Sequence, residues 1–157
     1  MRLEQGTGLP KQLRFWVVAH LVLVLVLVLA SMGIWVPAGD ERLLLARFFN
    51  GAAGLYVISM GVTYFSAAKH NQVQDGTQKA LSVAMVLALI AQFLPVMAGI
   101  LLLLFANGWL MLLEATPSHK KRWPTPWQTA RRQQGVLLLV ALSSVLVAVL
   151  TRGYVYG

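Results

Sequence analysis

The chain has no cysteine, so neither a disulfide framework nor a thiolate metal site is open to it. Acidic residues are scarce as well: five Asp or Glu in 157 residues, beside 13 Lys or Arg. A soluble domain is about a quarter charged, and here the fraction is 11%. That shortage excludes a water-soluble globule, and a hydrophobic content of 58% excludes a disordered chain. Charge is missing altogether from four stretches, Phe15–Val36, Phe48–Ala68, Ala80–Leu113 and Val136–Leu150. What remains is a polytopic membrane protein.

About 20 apolar residues at 1.5 Å each match the ~30 Å hydrocarbon slab. Inside it each backbone N–H and C=O must bond within its own segment, which makes the runs helices. The alternation Leu21-Val22-Leu23-Val24-Leu25 has the period of a strand. A membrane barrel strand alternates apolar with polar, however, and here both faces are apolar. The expected fold is an all-α integral membrane bundle with four transmembrane helices in one domain, at about 15–36, 43–68, 80–105 and 131–152. Trp16 and Trp35 lie 19 residues apart, about 28 Å on a helix, and mark the two interfaces of the first span. That run also exceeds the 7–15 residues of a signal-peptide core. Asp40 is the expected cap of the second helix, with Glu41 near its positive end.

The third run is too long for one straight span: 34 residues would reach about 51 Å. Pro95 and Gly99 kink it in the four-span reading, which ends the helix near Phe105. The alternative is three spans plus a re-entrant helical hairpin that turns back at Pro95. Basic residues separate the two. With four plain spans, six (Arg2, Lys11, Arg14, Lys69, Lys79, Arg152) face seven (Arg42, Arg47, Lys120, Lys121, Arg122, Arg131, Arg132). With the hairpin, the 114–135 segment changes sides and the count becomes ten against three. Four plain spans are the commoner arrangement, and the charge rule favours the hairpin.

The net charge of +8 follows the span ends, so topology rather than nucleic acid accounts for it. One group is concentrated: Lys120, Lys121 and Arg122, then Trp123 and Trp127, then Arg131 and Arg132. These residues suit contact with anionic lipid headgroups or a partner, or else an ordinary topogenic loop. Asn50, Gly54, Val57 and Gly61 form a helical stripe of mostly small residues, the pattern of close helix packing.

His20 is the one His, Asp, Glu, Lys or Arg within the core of an expected span, and intramembrane ionisable groups are functional candidates. A b-type haem would need a facing pair, for which His20 and His70 are the candidates; the depths match poorly, and no cofactor is expected. The acidic residues Glu4, Asp40, Glu41, Asp75 and Glu114 all sit at or beyond the interface. Four plain spans separate His70 and Asp75 from Glu114 and His119, whereas the hairpin places all four on the side of His20. No hydrolase elbow, zinc-protease helix, phosphate loop or dinucleotide fingerprint occurs. The expected function is a non-catalytic subunit or assembly factor of a larger membrane complex, with membrane lipids and other integral subunits as partners. The alternatives are a small oligomeric transporter or channel, and then a lipid-handling enzyme or b-haem carrier. Small size and tight loops suit a bacterial inner membrane.

Overall fold

The computed structural model describes residues 11–71, 77–123 and 125–156. Its elements are α1 (Lys11–Gly33), α2 (Asp40–Asn71), α3 (Thr77–Ile90), α4 (Val96–Glu114), α5 (Pro117–Arg122) and α6 (Thr125–Tyr156). Four of them, α1, α2, α4 and α6, contain stretches long and apolar enough to cross a membrane. The all-helical bundle with four long apolar helices is therefore present, although the expected helix over 80–105 is not one of them. The chain breaks there into α3 and α4, and the third long helix is Val96–Glu114.

The break has a local cause. Past Ile90 the backbone tightens from the α-helical bond Ala91 N–H to Leu87 O (3.0 Å) to i→i−3 bonds from Gln92 N–H to Leu89 O and Phe93 N–H to Ile90 O. Pro95 has no N–H to continue the ladder and disfavours the helical region for Leu94. With φ −52° and ψ 150°, Pro95 is instead the N-terminal boundary of α4, and its carbonyl accepts from Gly99 N–H at 2.8 Å. The two helices then pack antiparallel: Trp109 Nε1 donates to Ala80 O at 2.9 Å, and the first turn of α4 lies against Ala91. Gly99 permits this approach, because a Cβ there would stand 2.7 Å from Ala91 O. The chain turns back at Pro95, as in the hairpin reading.

Cross-helix bonds set the remaining directions. Gln134 donates to Val17 O and Trp35 to Ser144 Oγ, so α1 and α6 run parallel. Trp127 bonds Tyr64 while Arg42 reaches Ala148 O, so α2 is antiparallel to α6. Asn107 donates to Gly135 O and Arg131 pairs with Glu114, so α4 is antiparallel to α6 too. The starts of α1, α3 and α6 and the ends of α2 and α4 therefore share one face of the bundle. Ala38 and Arg42 lie on the other.

Helices in lipid gain little from hydrophobic association and are held by close van der Waals packing and hydrogen bonds. Ala46, Ala53, Ala84, Ala88, Ala106, Ala141 and Ala148 are all buried, which lets backbones approach. In α1, Val24 and Leu27 are buried while Val22, Leu25, Val26 and Leu29 face outward. The α1–α2 connection is held by Arg42, whose guanidinium donates to Pro37 O, Trp35 O and Ala148 O. Gly39, at φ +62°, takes the boundary position of α2 by accepting from Leu43 N–H, and Asp40 is the first helical residue rather than the cap.

Candidate functional site

Glu114 ends α4 and Arg131 lies in the second turn of α6, and across the short connection between these helices the two, 17 residues apart, close an ion pair. Arg131 approaches both carboxylate oxygens of Glu114, Nε to Oε2 and Nη2 to Oε1, each at 2.9 Å. The Arg131 side chain is 1% exposed and that of Glu114 12%. A buried guanidinium persists only when paired and fully hydrogen-bonded, and the planar fork suits a carboxylate. Nη1 is engaged as well. Arg131 Nη1 donates to the Tyr56 hydroxyl and to Gln134 Oε1 at 2.9 Å. The Tyr56 hydroxyl in turn donates to Gln134 Oε1 at 3.1 Å. Tyr64 donates to Glu114 Oε2 at 2.6 Å and accepts from Trp127 Nε1 at 3.2 Å. Gln134 Nε2 closes the circuit onto Val17 O, which ties α1 to the same point.

Two extensions leave this knot. Toward the basic end, Tyr64 meets Trp123 and Trp127 edge-on, with His119 stacked on Trp123 at 5.7 Å between centroids. Toward the bundle interior, the His20 ring lies edge-on to Tyr56 at 5.6 Å. His20 Nδ1 is 2.7 Å from Trp16 O; a carbonyl only accepts, so Nδ1 carries a proton. His20 Nε2 is 2.8 Å from Ser59 Oγ, which also lies 2.8 Å from Tyr56 O. Chemically this is a hydrogen-bonded cluster of hydroxyl, amide and ionised groups near the basic face, with His20 packed beside it against the Tyr56 ring, made of α1, α2, α4 and α6.

The candidates named from the sequence fall in different places. His20 is buried, with both ring nitrogens in hydrogen bonds within the chain. His70 belongs to α2, eleven residues or about 16 Å along the helix from Ser59, and its side chain lies outside the described residues. The expected haem pair therefore lies partly outside the described residues. Asp75 and Glu4 also lie outside the described residues. Among the described residues, no three His, Asp or Glu side chains converge to hold a metal ion.

The basic aromatic segment divides. Trp123, Trp127 and Arg131 point into the bundle, while Lys120 and Arg132 are exposed. Lys121 and Arg122 belong to α5, and their side chains lie outside the described residues. The small-residue stripe faces the hairpin: Asn50 donates to Val96 O, Gly54 lies against Gln92 and Ala88, and Gly61 against Met85. Val57 is buried.

Three members of the site, Tyr56, Tyr64 and Gln134, are not singled out by the sequence, and Glu114 is named there only for the side of the membrane on which it lies. Gln134 carried a faint signal, three residues after Arg131 and so on the same helical face. Glu114 carried no sign of its pairing, since Arg131 lies 17 residues on, beyond the i→i+4 reach of one helix. Beside the pair a cleft of about 260 Å³ opens, lined by Glu114, Arg131, Arg132, Thr125 and Thr129 among others. Comparison with known protein families, with characterised proteins and with solved structures yields no match.

Proposed function

We propose that the chain is a non-catalytic integral membrane subunit or assembly factor of a larger membrane complex, with the α3–α4 hairpin as its contact. The carrying observation is the exposed helix break. The 14 residues of α3 reach about 21 Å and the 19 of α4 about 28 Å, so the tip stops short of the far end of the 32-residue α2. The tip stops level with Asn50, whose backbone O accepts from Gln92. From there α2 continues ten residues, about 15 Å, to Asp40. Phe93, in the non-helical turn, is 81% exposed. Non-helical backbone at membrane depth is tolerated against protein or water but not against lipid. A helix from a partner, seated in the notch above the tip, covers both the turn and Phe93.

The ten-to-three distribution of basic residues supports an orientation with the Glu114–Arg131 end in the cytoplasm. A bacterial inner membrane fits this reading.

A photo-crosslinker at Phe93, activated in native membranes, tests the proposal. The expected product is a discrete adduct with a different membrane protein, lost in Ile90→Asp, which changes an exposed residue beside the turn. Adducts with lipid alone overturn it. A second reading, a small oligomeric transporter, is favoured by one detail: Asn50 Oδ1 is buried beside the helix break without a hydrogen-bond partner. Broken helices with free polar groups line pathways in transporters. A crosslink from Phe93 to a second copy of this chain would select that reading.

A further inference from the structure

At the opposite end from the hairpin tip, two concave surfaces meet at one residue. The polar cleft between the end of α4 and the first turns of α6 includes Met111 in its wall. So does an apolar groove of about 510 Å³ along the outer face of α4, with Phe105, Gly108, Trp109 and Leu112. We propose that cleft and groove together form a binding site for one anionic glycerophospholipid, its phosphate headgroup beside Arg132 and an acyl chain along α4.

Charge and length both fit that occupant. Within the cleft Glu114 and Arg131 neutralise each other in their two-bond pair, and Tyr64 takes up a further lone pair of Glu114. The net charge left in the wall is that of Arg132, which is exposed, with Thr125 and Thr129 hydroxyls available to phosphate oxygens. Lys120 is exposed at the same end of the bundle. A zwitterionic headgroup would bring its own cation against Arg132 and gain less. From Glu114 to Leu104, the far end of the groove, is ten residues, about 15 Å, half the hydrocarbon slab and thus the reach of one leaflet. Gly108 makes the groove possible: a Cβ there would meet nothing within 4 Å, so the volume over it is open. The groove is apolar, and Trp109 is fixed by its bond to Ala80 O.

The whole chain, purified in mild detergent, is mixed with equimolar phosphatidylglycerol and phosphatidylcholine of the same acyl chains, and adducts are counted by native mass spectrometry. The expected preference for phosphatidylglycerol is about fivefold, the factor equivalent to about 1 kcal/mol for one basic residue near the surface. Arg132→Gln should bring the ratio close to one. Gly108→Leu fills the groove without changing charge, and should lower adducts of both lipids several-fold. Lys120→Gln, a charge removed outside the cleft, should leave the preference within about twofold. Equal binding of both lipids by the unsubstituted chain overturns the proposal. So does an equal loss in Lys120→Gln and Arg132→Gln, which would mean diffuse attraction. Complete displacement of phosphatidylglycerol by millimolar inorganic phosphate would mark a free-anion site instead. Thermal midpoints of each variant show whether it folds, and either of the two site variants alone suffices to decide.

Discussion

Replacing Glu114 by Gln tests the buried ion pair most directly, because it keeps the shape of the side chain and removes only its charge. Arg131, 1% exposed, would then face Tyr56 and Gln134 with no counter-ion. Breaking a buried pair from one side costs about 3–5 kcal/mol, since a charge is left without compensation. The adjoining cleft admits water to Glu114, which is 12% exposed, and this places the cost near the lower bound, about 3 kcal/mol. For a chain of this size that corresponds to a fall in Tm of roughly 6–12 °C. Thermal unfolding in detergent can be followed by tryptophan fluorescence, because Trp123 and Trp127 pack on Tyr64 beside the pair. The double variant Glu114→Leu with Arg131→Met should lose less than Arg131→Met and Glu114→Leu do separately, since an apolar pair of similar volume removes both charges at once. A coupling of about 2 kcal/mol or more is expected from the cycle. A loss below about 1 kcal/mol in Glu114→Gln, or strictly additive single changes, would refute the reasoning, because only an ion pair already in water behaves so.

Three other outcomes follow from the packing. Gly99→Ala should destabilise the hairpin by about 1–3 kcal/mol, since the new methyl meets the Ala91 carbonyl; Gly61→Ala should cost less, because its obstacle is the flexible Met85 thioether. Comparing the two midpoints checks this, and equal losses would contradict it. Single cysteines at Thr77 and Ala115 should label from the same side of the membrane and one at Ala38 from the other, whereas four plain spans would separate the first two. His20→Phe should lower stability by about 1–3 kcal/mol through its two lost hydrogen bonds, and should leave the visible absorption spectrum of the purified protein unchanged.

Much of the architecture is legible in the residues, because membrane helices are dictated by local chemistry. Uncharged runs near 20 residues can meet the slab only as helices, so α1, α2 and α6 were recognisable with small errors at their ends. The run from Ala80 was not, because Pro95 is compatible with either a kink in one helix or a turn between two. Proline removes the same N–H in both cases. What distinguishes them is whether Gly99 can lie against Ala91 and Trp109 can reach Ala80 O, and those contacts join residues up to 29 positions apart. The ten-to-three charge bias was the one sequence feature pointing to the turn.

The candidate site shows the same division. Composition marked Arg131 as part of a basic segment and placed Glu114 at an interface. Only the tertiary structure joined them and set α2 against them, because a turn back at Pro95 brings the ends of α2 and α4 to one face. Once joined, the pair needed its full set of acceptors and donors, and α2 supplies Tyr56 and Tyr64 from a helix whose sequence shows only scattered polar groups. Trp123 and Trp127 read as interfacial anchors, yet they are buried against Tyr64 for the same reason. The shortage of charge by itself determined that this is a membrane bundle, through the solvation cost of each backbone and ionised group in hydrocarbon. Which side chains surround the Glu114–Arg131 pair was decided by the direction of one helix, a property of long-range packing that no local run of residues encodes.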